Sequence, residues 1–157
     1  MIQLIDMTDQ EFCAFKERSI ATYAESNVMA GEWLQEEALQ KSRAIHARLL
    51  PHGRLTFHHF FYTIHHTAHG KQVGSVWLAV QRSPARSVGF IYDLFVDEGF
   101  RRQGIGMQTL IELDAKARYL DLDTVGLHVF AYNKAAIKLY EKAGFATTRM
   151  NMSKNTS

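Results

Sequence analysis

The chain has 157 residues, 46% of them hydrophobic, with two prolines, one cysteine and a formal net charge of +2. This length and composition predict a single domain over residues 1–157 with one sizeable core. The small, mixed charge argues against a nucleic-acid binder, no apolar run approaches membrane-spanning length, and Cys13 alone excludes an internal disulfide, so a cytoplasmic protein is expected.

In chain order, Ile2 to Asp6 reads as a strand, and Thr8 with Glu11 forms a capping-box pattern that opens a helix from about Asp9 to Glu25. Ser26 to Gly31 reads as a loop. A second helix is expected from about Glu32 to Leu50, ended by Pro51 and Gly53, with Leu34, Ala38, Ile45 and Leu49 on its buried face. Leu55 to His66 is a β-rich run. A turn containing Gly70 joins it to a hairpin partner, Gln72 to Gln81.

A loop with Pro84 leads into GFIYDLFVD, Gly89 to Asp97, rich in β-branched and aromatic residues. RRQGIG, Arg101 to Gly106, follows. Then comes a helical run, Met107 to Leu120, with Leu110, Leu113, Ala117 and Leu120 at helical spacing. Two glycines in the joining turn let a ligand approach the backbone, and the first helical turn has free N–H groups. The pattern suits a phosphate or pyrophosphate; the plainer alternative is a tight turn without a ligand. No Lys-Ser or Lys-Thr follows the second glycine, which excludes a P-loop, and the glycine spacing argues against a dinucleotide fold.

A strand, Val125 to Phe130, and a helix, Asn133 to Ala143, come next, and Gly144 suits a left-handed helix end. Phe145 to Ser153 alternates enough to close the sheet. The order is strand, two helices, three strands, helix, strand, helix, strand, which predicts a mixed α/β fold with helices on the faces of a sheet.

RRQGIG with its preceding DLFV (Asp93 to Val96), Asn133 after the next strand and LYEKAGF (Leu139 to Phe145) resemble the GCN5-related N-acetyltransferase (GNAT) family. The resemblance is good from Gly70 to Lys154 and looser before that. It implies an α/β fold with a mixed, mostly antiparallel central sheet and helices on both faces. It also implies an acyltransferase that uses acetyl-CoA and an amine acceptor, and is compatible with a homodimer; no metal, nucleic acid or membrane partner is expected from the charge and hydropathy patterning. The pyrophosphate would then sit on the backbone of Arg102, Gln103, Gly104, Ile105, Gly106 and Met107, with Arg101 and Arg102 adding charge; a structural role is open for Arg101. The pantetheine arm would pair with the backbone of Phe95 and Val96, in a slot left by the diverging next strand. Asn133 would contact coenzyme A, cap the last helix, or both. Tyr140, two helical turns on and on the same face, would donate a proton to the leaving thiolate; otherwise it is a core aromatic.

The general base is less defined. Relatives acting on diamines often carry a glutamate where this chain has Tyr92. Strand alternation puts Tyr92 and Asp93 on opposite faces, so Asp93, acting through water, is the candidate, with Glu98 and His128 further options. Cys13, between Phe12 and Phe15, reads as a packed thiol, which leaves direct attack by the amine in a ternary complex. His58, His59, His65, His66 and His69 crowd one strand and its turn, but neighbouring strand residues diverge, which disfavours a shared metal. The acceptor pocket is expected between Ser26–Gly31, the second helix and a final hairpin; Glu25, Glu32, Glu36 and Glu37 there would attract a cationic amine, although a solvated helix face is the preferred reading of these acids. A non-catalytic acyl-CoA-binding or regulatory module is the alternative function.

Overall fold

A computed structural model describes residues 1–157. Five strands lie in the order β1 (Ile2–Asp6), β2 (His59–His66), β3 (Lys71–Arg82), β4 (Ser87–Val96) and β5 (Thr124–Leu127). Each neighbouring pair is antiparallel except β4 and β5, which run parallel. The helices are α1 (Asp9–Met29), α2 (Gln35–Leu49), α3 (Ile105–Tyr119) and α4 (Lys134–Lys142). The sheet is therefore mixed, as the element order predicts, and mostly antiparallel, as the family resemblance implies.

Two apolar clusters fix the layers. Tyr62, Ile64, Val76, Leu78 and Ile91 point to one face of the sheet and pack on Ile105, Leu110 and Leu113 of α3. Phe61 and Trp77 point to the other face and meet Phe12 and Phe15 of α1. This follows from period-two alternation along β2 and β3. Ile64 and Val76 have no exposed surface, and cutting such a side chain to alanine costs about 2–5 kcal/mol.

The capping box forms: the Thr8 hydroxyl accepts from the Glu11 N–H at 3.1 Å, and the Glu11 carboxylate accepts from the Thr8 N–H at 2.8 Å. α1 runs on to Met29, past the expected end at Glu25, because nothing breaks a helix before Gly31, which has φ +77°. The expected loop Ser26–Gly31 is thus mostly helix. α2 starts at Gln35, since Glu32 and Trp33 are still in the turn and donate to the Asn27 carbonyl. Its buried face is Ala38, Ser42 and His46, while Leu34 is 62% exposed. The polar stripe packs because its groups find partners on α1: Ser42 Oγ donates to the Ile20 carbonyl at 2.7 Å, and Ser19 Oγ lies 3.0 Å from His46 Nε2.

The largest departure is at the C-terminal end. Phe145 to Ser153 forms no strand and joins no sheet, so the expected final strand and hairpin are absent from this chain's fold. Cys13 is also not packed: Phe12 and Phe15 are buried, but Cys13 turns about 100° away from Phe12 on the helix and is exposed.

Candidate active site

The turn after β4 is built to leave donors free. The Asp97 N–H closes the end of β4 on the Val73 carbonyl at 2.7 Å, and a short 3-10 turn, Glu98–Phe100, reverses the chain. Arg102 (φ +62°) and Gly104 (φ +79°) then take left-handed conformations. Gly104 is the N-cap of α3, so the helix start has no side-chain cap. The first intrahelical bond runs from the Gln108 N–H to the Gly104 carbonyl at 3.1 Å. The N–H groups of Arg102, Gln103, Gly104, Ile105, Gly106 and Met107 donate to no turn, cap or side-chain acceptor. Six consecutive unspent donors at a helix start match the needs of a pyrophosphate.

Arg101 turns away from this cradle. Its Nε donates to the Val96 carbonyl at 2.8 Å, and its guanidinium lies 5.1 Å from the centre of the Phe95 ring. Gln103 folds back on the Gly99 carbonyl at 3.4 Å. Arg102 is exposed, with no ion-pair partner.

β4 and β5 pair only from Val88–Thr124 to Ile91–Leu127. Beyond Ile91, residues Tyr92–Val96 keep β3 on one side and have no strand on the other. This half-open edge leads directly to the amide cradle. Asp97 donates to β3, so the alternation of an antiparallel ladder also directs Phe95 at β3 and turns the N–H and C=O of Leu94 and Val96 outward. The Phe95 carbonyl lies hard against Gly74 of β3. Of the two expected backbone contacts, Val96 therefore faces the slot and Phe95 does not; Leu94, which the sequence reading missed, takes its place.

A bulge sits where β5 departs. Trp77 pairs with Asp93 and Leu78 with Ile91, leaving Tyr92 as the extra residue. Bulges re-aim side chains, and this one overturns the expectation that Tyr92 and Asp93 face opposite ways. The Tyr92 ring stacks on Trp77 (4.6 Å between centroids, 24°), and Asp93 reaches Arg18 of α1 on the same face. Arg18 donates to Asp93 Oδ2 at 2.6 Å and to Ser75 Oγ at 2.9 Å, and its guanidinium lies 4.0 Å from the Phe95 ring centre. A cavity of about 270 Å³ opens beside it, lined in part by Arg18, Ser75, Phe95 and Thr63.

α4 lays Leu139 and Tyr140 on the α3-side core. It meets α3 where Gly106 leaves room for Leu139; an added Cβ would come within 2.9 Å of that side chain. Asn133 is the N-cap, and its Oδ1 accepts from the Ala136 N–H at 3.3 Å, leaving its Nδ2 free. Tyr140 packs edge-on against Phe145 at 5.8 Å and against the α3-side core. Its hydroxyl has no protein partner. Burial pushes the phenol above the usual tyrosine value, and the negative Asp93 adds to the rise. Tyr140 is thus protonated at neutral pH.

The remaining sequence candidates lie elsewhere. Glu98 is in the turn after β4, and His128 is exposed beyond the end of β5. His59 is spent within the aromatic cluster, where its Nδ1 accepts from Trp77 Nε1 at 2.9 Å. Glu37 caps the Leu34 N–H and pairs with Lys41 at 3.0 Å; Glu25, Glu32 and Glu36 are solvent-exposed.

Comparison with known proteins agrees with this geometry. The Acetyltransferase (GNAT) family matches residues 20–145. YdgE of Bacillus subtilis, named as an uncharacterized N-acetyltransferase, is 36% identical over 151 residues, 96% of each chain. YycN of the same organism, named likewise, is 37% identical over 154 residues, 98% of this chain and 97% of its own. The crystal structure of YycN matches with a TM-score of 0.95 over 100% of this chain and 99% of that one. AaaT of Escherichia coli, an L-amino acid N-acetyltransferase, is 32% identical over 77 residues, 48% of each chain. With its parted β4 and β5 and its bare amide turn, the chain belongs to the GNAT acetyltransferase family and is an N-acetyltransferase.

Proposed function

We propose that the chain moves acetyl from acetyl-CoA to a primary amine by direct attack, with both substrates bound at once. The carrying observation is the run of six unspent amides, Arg102 to Met107, at the end of a strand edge that β5 leaves open. Acetyl-CoA would supply the activated acetyl thioester. The amides of Arg102 to Met107 would hold its pyrophosphate, and Arg102 would add positive charge. The outward N–H and C=O of Leu94 and the outward N–H of Val96 would hold the amide-bearing arm as an added strand, while the Val96 carbonyl stays with Arg101. Asn133 Nδ2 would donate to it.

Tyr140 would give its proton to the leaving sulfur. Its unpartnered hydroxyl beside the slot supports that role and weighs against a non-catalytic acyl-CoA-binding module. Asp93 lies on the acceptor side of the bulge. Held by Arg18, it would orient the ammonium group and pass its proton to water rather than take it in a direct contact. The AaaT name makes amino acids the first amines to test. The exposed lone cysteine suits a reducing compartment such as the cytoplasm.

Two measurements test the reading. Calorimetric titration with acetyl-CoA should show saturable binding. Thiol release with a panel of amino acids, polyamines, amino sugars and peptides should pick out an acceptor. Binding without thiol release for any amine would favour the non-catalytic module, and no binding at all would remove both.

A further inference from the structure

The bulge that turns Asp93 to the α1 face carries Tyr92 there as well, since Tyr92 is the residue left over between the Trp77–Asp93 and Leu78–Ile91 pairs. Its ring stacks on Trp77 at 4.6 Å, and Phe90 meets it edge-on at 4.8 Å. Ile91 packs into the α3-side core, so alternation leaves Phe90 on the α1 face beside Tyr92. Despite these contacts Tyr92 is 41% exposed. Phe90 and Tyr92 form a bank of aromatic surface along β4, at the point where its edge opens.

A second bank stands on the β5 side. Phe90 pairs with Gly126, and Ile91 with Leu127, the last pair before the strands part. Leu127 packs on the α3-side core, so His128 turns to the opposite face, which is the face of Phe90 and Tyr92. The His128 ring meets Phe130 edge-on at 5.1 Å, and Phe130 stacks on Tyr132 at 5.7 Å and 14°. Tyr132 is 41% exposed. The three rings make a row along the chain that leads from β5 to Asn133 at the start of α4.

The rings of each bank contact one another, and no ring of one bank contacts a ring of the other. The gap between them lies at the parting of β4 and β5. Ser87 to Tyr92 and Thr124 to Tyr132 hold no Lys, Arg, Asp or Glu. At the open end the flanking carboxylate is Asp93; at the far end Asp123 is held by the Ser87 N–H at 2.8 Å. Half-exposed aromatic faces gain when a flat apolar group covers them from both sides. An ammonium beside that group finds its counter-charge in Asp93, and a second cation would find none between the banks.

We propose that this gap selects the acceptor: a primary amine that carries an aryl group on a short alkyl arm. The aryl ring lies between Phe90 and Tyr92 on one side and Phe130 and Tyr132 on the other, and the ammonium is held toward Asp93. The rings set specificity and take no part in proton transfer. The proposal rests on the acetyl-transfer reading above and names the acceptor class for it.

The test compares phenethylamine, cyclohexylethylamine, butylamine and diaminobutane, by thiol release with acetyl-CoA and by calorimetry on the chain with and without CoA. Phenethylamine should bind about ten-fold tighter than butylamine. It should also bind tighter than cyclohexylethylamine, which has similar bulk but no flat face. Tyr92→Leu and Phe130→Leu should each erase most of that preference, with the fold checked by circular dichroism. The comparison among amines needs no variant, so it decides even where a leucine chain fails to fold. Equal or tighter binding of an alkylamine or of diaminobutane, no binding of any of these amines, or a preference that survives both leucine variants would overturn the proposal. Thiol release that favours butylamine would remove this proposal and leave the acetyl-transfer reading standing; failure of that reading shows separately, as absent binding of acetyl-CoA.

Discussion

Arg18 of α1 donates to the Asp93 carboxylate at 2.6 Å, joining residues 75 positions apart. The pair ties the first helix to the point where β4 bulges and β5 leaves. Asp93 is the only acidic partner of Arg18, and both side chains are only about a fifth exposed (23% and 20%). The contact therefore does more than a surface ion pair, which is worth about 0–1 kcal/mol. It fixes a carboxylate on the α1 face of the half-open stretch of β4 and holds Ser75 and Phe95 in the same cluster.

Arg18→Met should destabilise the fold by about 1–3 kcal/mol, because it leaves a half-buried carboxylate and the Ser75 hydroxyl without their donor. Arg18→Lys should recover only part, since an ammonium lacks the planar guanidinium that lies against the Phe95 ring. Urea denaturation of both variants, with Asp93→Asn and the double variant closing the cycle, measures the coupling. Additive effects of Arg18→Met and Asp93→Asn would show that the contact carries no energy of its own.

Tyr140→Phe should lower turnover about ten-fold or more, the usual scale for losing a general acid. The hydroxyl has no protein partner, so the melting temperature should barely move. Because its pKa is raised, the phenol stays a donor up to and beyond the ordinary tyrosine value, and the activity loss assigned to it belongs at the alkaline end of the pH profile. That limb should vanish in the phenylalanine variant. Wild-type turnover in Tyr140→Phe would remove the role.

Gly104→Ala should weaken acetyl-CoA binding, measured by calorimetry, and lower stability by about 1–2 kcal/mol, the cost of a left-handed non-glycine residue. Space is not the reason, since an added Cβ meets nothing within 4 Å. Gly104→Asn should be milder, because asparagine tolerates this region. Equal binding by the alanine variant and the parent would show that the amides of this turn do not hold the ligand.

The features that were legible in the sequence are those made by neighbours in the chain. Thr8 and Glu11 cap α1 as their spacing says, Gly144 takes φ +101°, and the RRQGIG turn leaves the amides from Arg102 onward free. The illegible ones join distant segments. Nothing near Arg18 announces Asp93, and nothing in IYDLFV marks Tyr92 as a bulge, since the extra residue is defined only against β3. The bulge then decided which side chains share a face, and the end of the β4 ladder decided that Leu94 rather than Phe95 faces the slot. Phe145 to Ser153 is the reverse case: its strand-like pattern is plain, but a pattern names no partner.

His46 makes the fold acid-sensitive. Its ring is buried between α1 and α2, 4% exposed, and burial holds its pKa below the usual 6.5. The Ser42 carbonyl can only accept, so His46 Nδ1 carries the proton at 2.9 Å, and Nε2 must then accept from the Ser19 hydroxyl at 3.0 Å. A second proton would turn Nε2 into a donor, force the Ser19 hydroxyl to turn and accept from it, and leave a charge in the buried helix interface. The unfolded chain binds the proton more readily, so the contribution of the neutral ring is complete above about pH 6.5 and is lost as pH falls through the lowered native value. Urea midpoints measured from pH 8 to pH 5 should therefore drop on the acid side. His59 and His66 are lowered by burial as well and share the slope. His46→Gln, which keeps a polar side chain that cannot titrate, should flatten the profile without abolishing it. An unchanged slope in that variant would place the acid sensitivity outside the α1–α2 interface.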